Sequence, residues 1–316
     1  GNGSGAAELD ATINFGQRAF KYPQSGFNGW CTQNLGDFDE DNNPRKYFDI
    51  LKWTGTGDND NYQRGLAFQP DLVWIKGRSA TTEGTIVDAA RGATKSLNHA
   101  YNTAEYTASA PSHEVQAFLS DGVKTGKNGR VGTDNTTYVG WFWDAGTAAI
   151  TPSDSYDITP SAQWANTTAG FSITKYTGNG SESELPHALG AKPDFIITKV
   201  IGTSNDFFVY HIGNNDATGR LQLNTAAHNN PSSNYWNNTP PTAAIVNINT
   251  HNGLNQSSQD FIMYAWTSIP GFSAFDSYIG TGTANFIYTG FRPRWIMIKR
   301  SVANSSPDTD TSHTSW

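Results

Sequence analysis

The chain alternates short apolar runs with polar spacers rich in Gly, Asn and Thr, and three of the apolar runs are copies of one another. FQPDLVWIKGR (Phe68 to Arg78), LGAKPDFIITK (Leu189 to Lys199) and TGFRPRWIMIKR (Thr289 to Arg300) each place a lysine six residues after a proline. The pairs are Pro70 and Lys76, Pro193 and Lys199, and Pro293 and Lys299. Upstream stand WTGTG at Trp53, YTGNG at Tyr176 and YIGTG at Tyr278, preceded by Phe48, Phe171 and Phe272. The final glycine precedes the proline by 13, 13 and 11 residues, and agreement at so many positions marks an internal repeat.

Copy one closes on TTYVGWFWDAG (Thr136 to Gly146) and copy two on QDFIMYAWTS (Gln259 to Ser268). A unit of roughly a hundred residues exceeds a solenoid repeat and matches a common domain size, which predicts tandem domains, each with its own core. The expected organisation is a preceding module over 1–36, an acidic linker over 37–46 and copy one over 47–147. A second linker over 148–169, copy two over 170–268 and the start of an incomplete copy three over 270–316 complete it.

Strand periodicity accounts for the repeated run. After the proline, Leu72 and Trp74 face one way while Val73 and Ile75 face the other, so the strand is expected to be covered on both sides. A proline at the strand start removes no needed ladder donor. Gly-x-Gly and SDG (Ser120 to Gly122) read as turns. The one helix candidate, His113 to Leu119, reads equally well as a strand. The fold class expected is all-β, with tandem antiparallel β-sandwiches of jelly-roll-like kind.

Composition agrees, because Gly, Asn and Thr are weak helix formers and 13% of residues are aromatic. A net charge of −7 argues against nucleic-acid binding, which needs clustered Lys and Arg. No apolar run approaches the roughly twenty residues of a membrane-spanning helix, so no membrane insertion is expected. GNGSGAAELD has neither a basic start nor the apolar core of a signal peptide, and the chain is expected to be a segment of a longer polypeptide. Cys31 is the sole cysteine, which excludes an internal disulfide and fits a small buried side chain.

Two stretches resemble known families. Asn14-Phe15-Gly16-Gln17, Phe20, Pro23, Gly26-Phe27 and Asn34-Leu35 resemble the C-terminal end of a SPRY domain, a β-sandwich used for binding. That end, followed by YFDILKWTGTG, PDLVWIK and TTYVGWFW, resembles an uncharacterised tandem repeat of virion structural proteins in marine tailed phages of cyanophage and pelagiphage type. Copy two departs from it at Thr198 and lacks the Arg found after Lys76 and Lys299. The resemblance implies a non-enzymatic structural protein on the surface of an extracellular virion, in a tail fibre, spike or other appendage with a role in host attachment. It implies self-association, with a homotrimer favoured, contact with other virion proteins, and contact with a host-surface glycan. Two alternatives stay open: a carbohydrate-binding adhesin or lectin-like module, and a capsid decoration or head-fibre protein.

Candidate chemistry is sparse. Gly-x-Gly continues into acidic or neutral residues rather than a phosphate-binding helix, so a tight turn is expected. GDFDEDNNP places Asp37, Asp39 and Asp41 at alternate positions like the first half of a calcium loop, but Asn42 and Phe48 stand where that loop needs Gly and Glu. A solvated linker is the plainer reading, with Ca²⁺ the only cofactor in view. The seven histidines show no HxH or HExxH spacing. Lys76, Lys199 and Lys299 read as strand-end lysines with wet ammonium groups; the sharper alternative is a carboxylate partner or a Lys–Asn crosslink. Tyr235 and Trp236 in SSNYWNNTPP, with Tyr101 and Tyr106 in copy one, are the glycan-stacking candidates, against the simpler reading that they pack their loops onto their own domain.

Overall fold

The computed structural model describes residues 43–302 except 110–111, 148, 152–154 and 215–216. The chain divides into two units, Gly1–Asn43 and Pro44–Trp316, and the strands and cores of the described residues belong to the second. The SPRY-like stretch, Cys31 and the acidic run lie outside the described residues.

Copy one contributes β1 (Phe48–Thr54), β2 (Asn61–Arg64), β3 (Leu72–Gly77), β4 (Thr85–Asp88), β5 (Val115–Leu119), β6 (Gly122–Thr125) and β7 (Thr137–Trp143). Its main sheet has the order β1-β7-β3-β4, and β2-β6-β5 forms a smaller covering sheet. Copy two contributes β8 (Ala162–Asn166), β9 (Phe171–Thr177), β10 (Ser183–Pro186), β11 (Phe195–Val200), β12 (Phe208–His211) and β13 (Gly219–Gln222). It continues through β14 (Asn230–Pro231), β15 (Ile245–Ile248), the one-turn α1 (Asn252–Asn255) and β16 (Asp260–Trp266). Here the sheet order is β14-β13-β12-β11-β16-β9-β8, covered by β10-β15.

The core order β9-β16-β11-β12 repeats β1-β7-β3-β4, and the strands recur at one constant interval: Phe48 to Phe171, Leu72 to Phe195, Thr85 to Phe208, Thr137 to Asp260. In both copies the last strand inserts between the first and third, pairing antiparallel with each. Even the bridge of Ile86 to Leu97 has its counterpart in Val209 to Leu221. The fold is all-β and antiparallel, as the alternation predicted. Val115 to Leu119, within the helix candidate, is strand, with Ser120-Asp121 turning β5 into β6.

Gly-x-Gly is required by a close backbone approach. Gly55 N–H donates to the Thr136 carbonyl (2.8 Å) and Gly178 N–H to that of Gln259 (2.8 Å). A Cβ on Gly55 would collide with the Thr133 carbonyl oxygen, and one on Gly178 with that of Gln256. Gly57 and Gly180 hold φ of +73° and +76°, which glycine adopts at no steric cost. The motif is a turn.

The expectation of separately closed domains gives way to a shared interior. One face of β3, with Val73 and Ile75, joins Val115, Val123, Tyr138 and Phe142 in an inner core of copy one. Ile196 and Val200 of β11 join Tyr176, Phe261, Val246 and Ile248 in the matching core of copy two. The opposite faces meet each other. Leu72, Trp74 and Trp143 pack with Phe171, Phe195, Ile197, Tyr264 and Trp266 in a third core made by both copies. The result is small sheet, main sheet, main sheet, small sheet. The apolar pattern on both faces of LVWI announced a covered strand, but alternation reports burial and not the identity of the cover.

Two further expectations need correction. Part of the 148–169 linker is strand: β8 pairs antiparallel with β9 from Ala162↔Lys175 to Asn166↔Phe171 and extends the sheet by one edge. Among the described residues, copy three forms no strand. Its run from Phe291 to Arg300 still alternates, half-buried at Trp295 and Met297 and exposed at Ile296 and Ile298, and the inward pair packs on the shared core.

Candidate functional site: the seam between the copies and the third segment

The proline motif builds the first part of the seam. Asp71 and Asp194, each following the motif proline, accept an N–H from beyond the last strand: Ala145 to Asp71 (2.7 Å) and Ser268 to Asp194 (2.8 Å). Burial pushes the Asp71 carboxyl up to about 7, against the lowering effect of that hydrogen bond. Copy three carries Arg294 at this position, and the change of sign redirects it. Its guanidinium reaches Asp49 of copy one (2.7 Å), a buried carboxylate that Arg45 also holds (2.8 Å). Trp295 then lies against Trp143 and Trp74, with centroids 5.5 and 6.3 Å apart. Ile50, Arg292, Pro293 and Arg294 line a cleft of about 570 Å³ at this junction.

A buried polar network crosses the seam. Arg91 is 1% exposed and donates to Asp88 (2.6 Å), Glu105 (3.1 Å) and the Tyr264 hydroxyl of copy two (3.4 Å). Tyr264 donates in turn to Asp88 (2.6 Å). Burial alone would lower the Arg91 pKa, but Asp88, Tyr264 and Glu105 outweigh it and keep the guanidinium charged. Burial also raises the Tyr264 pKa well above its usual value, so the hydroxyl stays a donor. Nearby, Trp74 Nε1–H donates to His99 Nδ1 (2.9 Å), and burial, then Lys76 and Arg130, push that imidazole down to about 4. His99 is therefore a neutral acceptor at neutral pH, with its other nitrogen assigned the proton.

The three motif lysines share one role. Lys76 donates to the Thr82 carbonyl, Lys299 to that of Thr225, and Lys199 to Val200 (2.7 Å) and Thr203 (3.4 Å). Each ammonium thus donates to at least one backbone carbonyl. The expected wet ammonium is wrong for Lys199, which is fully buried, with Phe207 under its Nζ at 5.6 Å. Burial pushes Lys199 down to about 8, Asp206 opposing and Arg91 assisting. Between pH 8 and 10.5 the unfolded chain thus holds a proton that the folded chain has released, so unfolding free energy rises with pH there. Between about pH 8 and 9.5 the rise is about 2 kcal/mol. Lys299, also near 8 but half exposed, adds less. In urea titrations Lys199→Met should remove more than half of this slope; an unchanged slope would contradict the assignment.

The loop aromatics divide. Trp236 and Tyr235 are buried in the inner core of copy two, with Trp236 edge-on to Tyr210 and Tyr235 near Phe208. The stacking role expected for them is overturned, because neither ring face is open to a sugar; they pack their own loop. Trp236 Nε1 is buried without an acceptor among the described residues. Trp236→Phe should therefore cost only about 1 kcal/mol, the lost volume being partly offset by removing an unmade hydrogen bond. Chemical denaturation checks this. Tyr106 is half-buried under Arg130, whose guanidinium carbon lies 4.8 Å from the ring and which bonds its hydroxyl. Tyr101 is 50% exposed and remains the one glycan-stacking candidate with an open face.

The three lysines and three prolines were legible in the sequence as equivalents. Arg91, Tyr264, Asp49 and Trp295 were not. One signal was available: the Asp-to-Arg change after the third proline marks a copy whose partner differs. Asp37, Asp39 and Asp41 lie outside the described residues, and among those described no group of three His, Cys, Asp or Glu could hold a metal ion.

No curated protein and no solved structure matches the chain. A family model does match residues 43–310, spanning both complete copies and the third segment together. The chain belongs to that family, described as a domain of unknown function, DUF7483.

Proposed function

We propose that this chain is a structural component of a tailed-phage particle, a rigid module of a tail fibre, spike or similar surface appendage. The observation that carries the reading is the use made of polar and aromatic groups. Arg91, Asp88, Asp71, Lys76 and Lys199 bond to one another or to backbone, and the large rings fill the seam. Side chains spent on fixing backbone within each copy, and at Arg91, Asp88 and Tyr264 on joining the two, suit load-bearing and spacing rather than turnover. The resemblance of YFDILKWTGTG, PDLVWIK and TTYVGWFW to marine-phage virion repeats supplies the setting. Attachment to a host glycan would fall to exposed loops such as that of Tyr101.

Mass spectrometry of purified particles, paired with immuno-electron microscopy using antibody to residues 43–302, tests the reading. Label on an appendage supports it. Absence of the chain from intact particles would contradict it.

A further inference from the structure

Two carboxyls meet where β3 begins and β7 ends. Asp71 N–H donates to the Trp143 carbonyl and Asp71 Oδ2 accepts Ala145 N–H (2.8 and 2.7 Å), so its two anchors flank Asp144. The Asp71 and Asp144 carboxyls are themselves joined by a hydrogen bond. Two carboxylates have no proton to place between them, so that contact requires one of the pair to be protonated. Burial decides which. Asp71 is 3% exposed, whereas Asp144 is half-buried and accepts from Gly146 N–H and from Asn166 Nδ2 of β8 (both 2.8 Å), bonds that suit an ionised group. Copy two repeats the setting without the second acid. Asp194 N–H donates to the Trp266 carbonyl and Asp194 Oδ2 accepts Ser268 N–H (both 2.8 Å), and the residue between those anchors is Thr267. The motif therefore closes without a paired carboxyl, and Asp144 adds something particular to copy one.

We propose that Asp71 and Asp144 share one proton and form a pH-sensitive latch where the chain leaves copy one for copy two. With the proton on Asp71, its O–H donates to Asp144, whose other lone pairs hold Gly146 and Asn166. Without it, two negative charges face each other, and Asp144, the less buried, turns away and releases Asn166. The charges acting on Asp71 are both negative, Asp144 beside it and Asp88 on β4, and Asp88 is itself held by Arg91. Burial raises the Asp71 carboxyl most and the Ala145 N–H opposes it; Asp144 and then Asp88 add to a rise from 3.8 to about 7. The unfolded chain thus sheds this proton well before the folded chain does. The contribution of the latch is complete below 3.8 and is lost as pH rises through about 7. Lys199, lowered to about 8, acts in the opposite direction and in a higher window.

Infrared spectroscopy of the full chain reads the proton directly. At about pH 5.5 the wild type should show a protonated-carboxyl band that Asp71→Asn lacks, and by about pH 8.5 the two spectra should agree there. Asparagine can donate to Asp144 and accept from Ala145, so this variant should keep the latch closed at every pH. Amide exchange at Gly146, corrected for its intrinsic pH dependence, should quicken by up to about tenfold per pH unit above about pH 7 in the wild type and not in Asp71→Asn. Asp144→Thr, which installs the residue of copy two, should move the midpoint of the band to lower pH. Wild-type and Asp71→Asn spectra that agree at about pH 5.5 overturn the inference, as does a midpoint that Asp144→Thr leaves in place. Gly146 exchange whose pH dependence is the same in wild type and Asp71→Asn overturns it too.

Discussion

Replacing Arg91 with Met should destabilise the folded chain by about 3–5 kcal/mol, because it strands buried acids at the seam. Asp88 is fully buried and Glu105 partly so, and both point at the guanidinium (2.6 and 3.1 Å), Glu105 keeping Lys95 nearby as well (3.7 Å). Without it, Asp88 keeps only the Tyr264 hydroxyl and the backbone N–H of residue 91 (2.6 and 2.9 Å). Hydrogen bonds do not neutralise a charge, so the carboxylate must stay ionised in an apolar layer or take up a proton. Arg91→Met with Asp88→Asn should recover part of the loss by removing the stranded charge. Denaturant titration at neutral pH measures both. A cost below about 1 kcal/mol for the single variant would mean that the network is solvated, as exposed ion pairs are.

Trp266→Ala should cost a similar amount, about 3–5 kcal/mol, by opening a cavity in the shared core. The ring stacks on Phe171 at 4.8 Å and 27°, lies 5.3 Å from Phe195, and meets Trp143 of the other copy at 6.2 Å, edge to face. Its link to Trp143 makes it informative beyond its size. A double-mutant cycle of Trp143→Ala and Trp266→Ala should give a coupling of about 0.5–1.5 kcal/mol, the range for aromatic pairs in contact. Additive losses would place the two rings in independent cores.

The alternating residues of LVWI and FIIT identified the strands, and the constant spacing of Gly-x-Gly, Pro and Lys identified the repeat. Strand order within each copy follows from pairing that a sequence does not state: nothing in TTYVGWFW says that it inserts between the first and third strands. Both faces of β3 are apolar, so the pattern could not distinguish a cover made by the same copy from one made by its neighbour. Trp236 misled for a related reason. Its flanking Asn, Ser and Pro describe a loop, but a loop can fold its largest ring inward when its own sandwich leaves room for it. The Arg91 network was illegible because its partners are distant in the chain, as Arg91 and Tyr264 are, and charge position alone does not reveal burial.

Hydrogen exchange in graded denaturant, read on the amides of β7 and of β16, tests most directly whether the two copies form one cooperative structure. The shared core predicts that both strands lose protection at the same denaturant concentration and with the same dependence on it, since neither main sheet can expose its inward face alone. Opening of one copy while the other stays protected would contradict it.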